Sequence, residues 1–357
     1  MEKRWFRNGF FVDREKEIKL FMDRFQTRPE RILWIYGPKS AGKTTLIEYI
    51  IENELFEDFE HLKPKNGFWV KYVNLRGKLI TNYNMFLDTF IKPQEELEDI
   101  VSARINIGIL ELKVQRLLKV KNKSLDLFDA MLEQINDIAK TKKPIIIIDE
   151  IQTLQDIYVN GEKELIKEFL NFCVRLTKEL HLVHILILSS NTIFIDQIYN
   201  DAKLKVTSDF YKIDHLSYED TYEWLKEEGF KDDEITLIWD YIGGCIPYLY
   251  EIISQKDKIE NLKAYLDEKA FLAYTEIADF IIRQNTKEED EIFRMIAKEI
   301  LKNGYFALDP SLEKRKEIMD VIDKWAQKEI LFYDPKSLKV NGNNRTYEKG
   351  MEILLSK

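Results

Sequence analysis

A glycine-bearing loop near the start of the chain has the residue types and spacing of a phosphate-binding loop. An apolar, strand-like run precedes it and a helix-like run follows it, so successive backbone N–H groups and a helix N-terminus can face an anion. In this pattern Lys43 reaches the β- and γ-phosphates and the Thr44 hydroxyl binds Mg²⁺. A simple glycine turn would not account for this Lys-Thr pair. The predicted ATP-binding residues are Gly37, Pro38, Lys39, Ser40, Ala41, Gly42, Lys43, Thr44 and Thr45.

Two acidic residues, Asp149 and Glu150, follow a run of four isoleucines. The run is predicted to be a buried strand, and ligands of α/β sheets bind at the carboxyl ends of such strands. Asp149 is therefore predicted to bind Mg²⁺, directly or through water, and Glu150 to orient or deprotonate the attacking water. Alternatively, both acids only cap the next helix. The phosphate-binding loop earlier in the chain favours the catalytic interpretation.

Polar residues also end a later apolar strand, at Ser189, Ser190 and Asn191. A polar side chain at that edge of the sheet can hydrogen-bond the γ-phosphate or position the attacking water. Asn191 is the first candidate for this role and Ser190 the second, although a polar turn after the strand explains the pattern equally well. Asn191 joins Lys43 and Glu150 in the predicted catalytic set.

The elements that must position these residues alternate between strand and helix over the first part of the chain. Such alternation predicts βαβ units and a parallel sheet, and near-continuous apolar strands require helices on both faces of that sheet. We therefore predict an α/β fold, with a three-layer P-loop NTPase core and a parallel sheet, over residues 1–214.

Beyond this region the pattern becomes helical. Ser217 is a suitable N-cap, and Gly243–Gly244 followed by Pro247 ends one helix and begins the next. These helices are predicted to form a lid over residues 215–274. Residues 275–357 combine helices, a capping-box spacing and two short strands around a turn, and are predicted to form a winged-helix-like domain.

The overall composition limits the class of protein. The chain has 357 residues, 45% of them hydrophobic, and a formal net charge of -9, which is unfavourable for coating nucleic acid. No apolar run approaches a membrane span and the charged N-terminus carries no secretory signal, so we expect a cytoplasmic protein. Cys173 and Cys245 fit neither a disulfide framework nor a metal site, and are predicted to be small buried residues in a reducing compartment.

Several segments together resemble the archaeal ATPase family within the STAND class of P-loop signalling ATPases, which are relatives of the AAA+ proteins. The resemblance extends over nearly the whole chain. It comprises the opening FFVDREKEIKL, the Walker A segment GPKSAGKTT, the Walker B segment IIIIDEIQTL, DHLSYEDTYEWL, GGCIPYL, KEILFYDP and NNRTYEKGMEILL. The Walker segments are specific for nucleotide binding, and the others mainly indicate the family.

The resemblance implies two further nucleotide-binding residues. It implies that Arg14 lies near the nucleotide or at a domain junction and that Pro247 lies at the adenine, whereas the sequence alone indicates a solvated helix residue and a helix start. Two positions depart from the family pattern, because one additional residue separates the glycine pair from Pro247 and His215 replaces a common proline. No arginine finger is evident. Arg175 is a candidate for acting across a subunit interface if the chain forms an oligomer.

The resemblance also implies ATP and Mg²⁺ as cofactors, slow ATP hydrolysis and a nucleotide-driven regulatory switch in which the lid changes orientation. One alternative is a DNA-binding initiator or regulator that uses the winged helix, and another is a non-catalytic nucleotide-binding scaffold. Residues 275–357 contain 15 Lys and Arg against 16 Asp and Glu, which is not a basic DNA-binding surface. We therefore expect this domain to contact an unidentified protein partner rather than DNA.

Overall fold

The computed structural model describes residues 4–7, 9–12, 14–61, 63–65, 67–76, 80, 83–93, 106–107, 110–112, 127–155, 157–159 and 163–357. Ser124, the predicted cap of a helix, lies outside the described residues. That helix begins at Leu127 in the part of the chain that the structure describes.

The first region of the chain alternates strands and helices, as predicted. Its elements are β1 (Arg4–Phe6), β2 (Gly9–Phe11), α1 (Glu15–Gln26), β3 (Ile32–Tyr36), α2 (Lys43–Tyr49), β4 (Phe56–Asp58), β5 (Lys63–Pro64), β6 (Phe68–Asn74), α3 (Tyr83–Phe90), β7 (Ile91–Pro93), β8 (Asn106–Ile107), β9 (Leu110–Leu112), α4 (Leu127–Ala139), β10 (Lys143–Asp149), β11 (Tyr158–Val159), β12 (Lys163–Glu164), α5 (Leu165–Val174), β13 (His184–Ser189), α6 (Thr192–Asn200), α7 (Ala202–Val206) and β14 (Ser208–Lys212). Short π-helical segments extend α2 to Leu55 and α5 to Glu179, and a 3₁₀ turn spans Ile151–Leu154.

A twisted sheet with five parallel strands forms the centre of this region. The strand order is β14-β3-β13-β10-β6, and the short β8 adds antiparallel to β6 at one edge. Alternate residues of each strand face opposite sides of a sheet. Trp34 and Ile146 accordingly pack against α3 to α6, whereas Leu33 and Ile147 pack against α1 and α2. Because both faces are covered, the central strands β3, β13 and β10 are mostly apolar, and the predicted three-layer α/β fold is confirmed.

Four helices follow the core. They are α8 (Tyr218–Glu227), α9 (Asp232–Ile242), α10 (Ile246–Gln255) and α11 (Leu262–Gln284). The predicted cap of α8 is confirmed, because the Ser217 hydroxyl accepts a hydrogen bond from the Asp220 N–H at 3.1 Å. An apolar cluster centred on Trp224 and Ile238 joins α8 to α10. We call α8, α9 and α10 the lid helices.

Residues 287–357 form a compact unit that we call the C-terminal module. Its elements are α12 (Lys287–Asn303), β15 (Phe306–Ala307), α13 (Arg315–Gln327), β16 (Leu331–Asp334), β17 (Lys339–Gly342) and α14 (Arg345–Ser356). The predicted capping box at the start of α12 and the predicted hairpin of β16 and β17 are both present. The spacing of apolar residues such as Ile318 and Trp325 in the sequence predicts a helix from about Ser311 to Lys328. In the structure this helix begins only at Arg315, and Asp309 accepts the Ser311 N–H in a turn before it.

The helix α11 connects the lid helices to the C-terminal module without a break. Its residue Leu266 packs into the lid cluster and its residue Ile277 packs into the core of the module. The predicted boundary between residues 274 and 275 therefore falls inside this helix. Among the residues that the structure describes, no helix combines the length and the apolar character needed to cross a lipid bilayer.

Candidate nucleotide-binding site

The phosphate-binding loop lies between β3 and α2, at the carboxyl edge of the sheet. Two of its glycines have positive φ angles, 149° at Gly37 and 85° at Gly42. A Cβ atom at Gly37 would lie 1.9 Å from the carbonyl oxygen of Ile213, so glycine is required where the loop meets the chain leaving β14. Gly42 is the left-handed residue that starts α2 and directs its first N–H groups toward the loop.

Lys43 is buried inside this loop. Its ammonium group donates hydrogen bonds to the carbonyl oxygens of Gly37, at 2.9 Å, and of Pro38, at 2.8 Å. Burial lowers the pKa of Lys43 to about 8, although the nearby carboxylates of Asp149 and Glu150 act in the opposite direction. The side chain is thus mostly protonated near neutral pH and held where the loop backbone can present it to a phosphate.

Thr44 and Asp149 meet at the end of β10. The Thr44 hydroxyl donates to Asp149 Oδ2 at 2.7 Å. Burial raises the pKa of Asp149 to about 6, the Thr44 hydrogen bond lowers it and the charge on Glu150 raises it. One carboxylate and one hydroxyl suit Mg²⁺, which usually takes one or two carboxylates and completes its shell with water and substrate phosphates. In the described part of the chain no three His, Cys, Asp or Glu side chains form a metal site.

The carboxylate of Glu150 lies between two donors. Glu150 has a left-handed backbone, with φ of 61°, and its Oε1 accepts a hydrogen bond from Arg76 while its Oε2 accepts one from Gln152. Neither Arg76 nor Gln152 is among the site residues predicted from the sequence. A signal for Arg76 was present, because it follows the carboxyl end of β6, at the same edge of the sheet as the ends of β3 and β10.

The predicted catalytic residue Asn191 caps the helix α6. Its Oδ1 accepts a hydrogen bond from the Phe194 N–H at 3.0 Å, and its own N–H donates to Ser189 Oγ at 3.1 Å. The Ser189 hydroxyl in turn donates to Gln152 Oε1 at 2.9 Å. This chain of contacts connects the end of β13 to Glu150. The structure thus gives the Asn191 oxygen a structural role, and its catalytic role stays a prediction.

A cavity of about 420 Å³ opens beside Glu150. Its lining comes from the loop, from three strand ends and from the C-terminal module, and consists of Lys39, Arg76, Glu150, Gln152, Ser190, Asn191, Ala326, Gln327 and Glu329. Both Asn191 and the second candidate, Ser190, therefore face the same space as the predicted base. The last three lining residues were not expected, because they belong to the module at the far end of the chain.

The C-terminal module contacts the phosphate-binding loop directly. The Lys39 ammonium group is paired with Glu329, and the Lys39 N–H donates to Asn343 Oδ1 at 3.2 Å. The backbone carbonyl of Asn343 accepts a hydrogen bond from His215 Nε2 at 2.8 Å. Burial lowers the pKa of His215, which favours its neutral form.

A buried hydrogen bond also joins the core to the C-terminal module. The hydroxyl of Tyr36, the last residue of β3, donates to Asp334 Oδ1 at 2.9 Å. Phe332, on the same strand as Asp334, is buried in the apolar cluster of the core. The hairpin of the module is thus packed against the end of the strand that leads into the loop.

The structure brings Arg14 to the loop. Arg14 is buried, has a left-handed backbone with φ of 106°, and donates to the carbonyl oxygens of Ala41, at 3.0 Å, and Asp214, at 2.7 Å. It therefore joins the loop to the chain segment that enters the lid helices. Its predicted contact with nucleotide is not tested by this geometry.

Three other residues that were predicted to be functional lie outside the contacts described so far. Pro247 is an exposed residue in the first turn of α10, next to Ile246, whose side chain approaches Gly42. Thr45 is exposed on α2. Arg175 follows α5 and pairs with Asp129 of α4 at 3.7 Å, and its role across a subunit interface stays a prediction. Cys173 and Cys245 are both buried, as predicted.

Comparison with known proteins identifies the family. Residues 11–252 match the family described as an ATPase domain predominantly from Archaea. The chain belongs to this family. An ATP-binding protein of Methanocaldococcus jannaschii is 34% identical over 329 residues, which cover 82% of this chain and 88% of the relative. An ATP-binding protein of Pyrococcus abyssi is 30% identical over 341 residues, which cover 91% and 93%.

A solved structure supports the fold of the whole chain. The Walker-type ATPase of Pyrococcus abyssi superimposes with a TM-score of 0.60, covers 96% of both chains and shares 12% sequence identity. At this identity the likeness concerns the fold. Membership of this family, whose relatives are ATP-binding proteins, shows that the chain contains an ATP-binding ATPase domain.

Proposed function

We propose that this protein hydrolyses ATP with Mg²⁺ and that the bound nucleotide controls whether its C-terminal module is docked on the phosphate-binding loop. One observation carries the proposal: Lys39, inside the loop, pairs with Glu329 and donates its N–H to Asn343 of the module. A ligand that fills the loop must act on the same residues that hold the module. Binding and docking are therefore expected to be coupled.

The hydrolytic step uses residues of the core. Lys43 and the N–H groups at the start of α2 hold the phosphates. Mg²⁺, bound by Thr44 and Asp149, would supply positive charge to the phosphate oxygens. Glu150 accepts a proton from a water molecule, whose oxygen forms a bond to the γ-phosphorus as the bond from that phosphorus to the bridging oxygen of ADP breaks. The products are ADP and inorganic phosphate.

We propose that the lid helices and the C-terminal module move as one body relative to a core of residues 1–214. The continuous helix α11 connects them, and Asp240 of α9 pairs with Arg345 at 3.6 Å and with Lys349 at 2.7 Å on α14. Residues 215–274 and 275–357, predicted as separate domains, would then form one moving unit. This modifies the lid movement that the sequence implied.

The class of the switch is part of the same proposal. Coupling between a nucleotide site and an attached module is what the STAND resemblance implies. The order of a helix, a short strand, a helix and a hairpin in the C-terminal module supports a winged-helix-like unit. We propose that the released module binds a protein partner.

Two observations make DNA binding the less favoured alternative. The hairpin is packed on the core through Phe332, and the end of α13 lines the cavity through Ala326 and Gln327. In the docked state neither element can enter a groove of DNA, and the 15 Lys and Arg against 16 Asp and Glu of residues 275–357 are unfavourable for DNA binding by the released module as well. The third candidate, a scaffold without catalysis, is disfavoured because Glu150 stands beside the nucleotide loop with its donors.

The proposal is tested by measuring the distance between the core and the module in solution. Both native cysteines are buried, and burial raises the pKa of Cys245 to about 12, so introduced surface cysteines can be spin-labelled selectively. Lys178→Cys on the core and Lys302→Cys on α12 place labels at exposed positions. The distance between the two labels is measured by double electron–electron resonance. We expect it to differ between the nucleotide-free protein and the protein saturated with a non-hydrolysable ATP analogue and Mg²⁺.

Three variants control this experiment. Lys43→Ala should abolish the distance change, because it removes the phosphate contact. Glu329→Lys should shift the nucleotide-free protein toward the released distance, since it places a second cation beside Lys39. Glu313→Lys makes the same charge change at an exposed position away from the loop and should leave the distances unchanged. Identical distances with and without saturating nucleotide would overturn the switch.

A further inference from the structure

The cavity beside the loop contains two ion pairs. Arg76 is paired with Glu150, and Lys39 is paired with Glu329. Among the residues that line this cavity, these four are the ionisable ones, so its two cations and two carboxylates balance. A terminal phosphate entering the cavity brings negative charge and competes with the two carboxylates for the two cations.

Arg76 is the cation best placed to change partner. Its side chain is 63% exposed, whereas that of Glu150 is 11% exposed, so the guanidinium can turn while the carboxylate is held in place. Its backbone is fixed independently, because the Arg76 N–H donates to Asn74 Oδ1 at 2.8 Å. The hydrogen bond to Glu150 raises the pKa of Arg76, and its charge acts on both Lys43 and Asp149. The guanidinium therefore lies within electrostatic range of the phosphate and metal residues.

The pairing has a consequence for the catalytic base. A carboxylate that accepts from Arg76 and Gln152 has both oxygens engaged, so fewer acceptor sites are available for the attacking water. Guanidinium groups bind phosphates through two parallel hydrogen bonds, which makes a phosphate a competitive partner.

We propose that Arg76 detects the terminal phosphate of ATP: it holds Glu150 when this phosphate is absent and binds the phosphate when it is present, which releases Glu150 toward the attacking water. The inference rests on the proposed ATP hydrolysis at this site. It assigns to Arg76 the discrimination between ATP and ADP, since ADP lacks the group for which the guanidinium changes partner.

The test compares the affinities of a non-hydrolysable ATP analogue and of ADP, both with Mg²⁺, by calorimetry. Arg76→Gln should weaken the analogue by about 10- to 100-fold, the range expected for loss of a charge-assisted contact, and change ADP affinity by less than about threefold. Arg76→Lys should keep part of the preference, because it retains the charge without the planar fork. Arg31→Gln, which breaks a similarly exposed pair with Asp209 at the other edge of the sheet, should change neither affinity.

A double-mutant cycle tests the exchange of partners. Glu150→Gln frees the guanidinium, so it should strengthen analogue binding by about two- to tenfold in the wild-type background and have no such effect in the Arg76→Gln background. Equal losses for ADP and the analogue in Arg76→Gln, or no loss for either, would overturn the proposal. None of these measurements requires turnover, so a protein that binds but does not hydrolyse ATP would contradict the proposed activity and leave this test intact.

Discussion

The loop and the cavity beside it are built in different ways. In the loop region Lys43 contacts carbonyl groups only five and six positions away, and Thr44 meets Asp149 at the end of a strand in the same sheet. In the cavity region Lys39 meets Asn343 across 304 positions, and Arg76 meets Glu150 across 74. The first region lies entirely within the core, whereas the second is completed only where the C-terminal module docks on the core.

This difference suggests a division of labour. The core alone holds the residues of the loop region in place, so their arrangement should not depend on the position of the C-terminal module. The residues of the cavity that come from the module are present only when it is docked. Chemistry should therefore depend on the residues that the core supplies, Glu150 included, and its regulation on the residues that the module supplies, and the following variants test that division.

The largest expected effect is on turnover, and it should differ between the two carboxylates of the cavity, Glu150 and Glu329. Glu150→Gln keeps the shape of the side chain but cannot accept a proton, so the turnover number should fall by about 10²- to 10⁴-fold, whereas ATP should bind at least as tightly as to the wild type. Glu329→Gln removes the carboxylate that the module contributes and should change turnover only a few-fold. Single-turnover hydrolysis, measured beside nucleotide binding, decides the comparison. Similar losses in both variants would show that the division does not hold.

The next largest effect concerns the buried carboxylate of Asp149. Burial raises its pKa to about 6 in the folded protein, against an ordinary value of 3.8, so the folded state binds more protons between these values and loses stability as pH rises from about 4 to about 6. Asp149→Asn removes the energetic cost of ionising this buried carboxylate. Without nucleotide, it should raise the free energy of unfolding near pH 7 by up to about 3 kcal/mol, reduced by the loss of a countercharge for Lys43.

Urea denaturation at pH 5 and at pH 7.5 measures this effect. The gain from Asp149→Asn should be larger at the higher pH, and Mg²⁺-dependent ATP binding should weaken in the same variant. Asp137→Asn, at an exposed position on α4, should show neither change. A variant that is less stable than the wild type at pH 7.5 would show that the carboxylate is needed as a structural acceptor for Thr44.

Much of the loop region could be predicted from the sequence because local pattern determines it. Apolar runs with glycine and charged residues at their ends indicated the strands, their carboxyl ends and hence the edge at which Asp149 lies. The cap at Ser217 and the turn between β16 and β17 were also local. The same rule would have found Arg76, two residues after β6, had it been applied to every strand.

The contacts of the C-terminal module could not be predicted in this way. Glu329 and Asn343 lie in segments that resemble the family, but nothing in those segments indicates a contact with Lys39, and only the packing of the module on the core brings them there. Helix boundaries failed where a side chain captured the backbone, as Asp309 does before α13. The start of that helix was therefore predicted too early.

An effect similar in size to that of Asp149→Asn is expected when Lys43 of the loop is replaced. At an ATP concentration of about a hundred times Kd, binding stabilises the wild type by about 2.7 kcal/mol. Lys43→Ala should lose most of this gain, because the ammonium contact with the phosphates is absent. Thermal unfolding with and without ATP and Mg²⁺ measures the difference. Lys39→Ala, at the exposed and module-facing side of the loop, should retain most of the gain, and equal losses would place Lys39 among the principal phosphate ligands.

The smallest effect distinguishes the contacts that hold the module. Asp240 pairs with Arg345 and Lys349 at an exposed surface between α9 and α14, where ion pairs typically contribute about 0–1 kcal/mol. Tyr36 instead donates to Asp334 in a buried position, and Tyr36→Phe removes that donor while the acceptor stays buried. We expect Asp240→Asn to leave docking unchanged within a few tenths of a kcal/mol, and Tyr36→Phe to weaken it by about 1 kcal/mol.

Only a measurement of docking resolves so small a difference. The spin-label distance distribution of the nucleotide-free protein should shift toward the released form in Tyr36→Phe and stay as in the wild type in Asp240→Asn. The two variants should differ because the lid helices and the module are proposed to move as one body. Asp240 and its partners all lie within that body, whereas Tyr36 belongs to the core and contacts it. If Asp240→Asn also shifted the distribution, the lid helices and the module would have to move separately, and the interface that responds to nucleotide would lie between them.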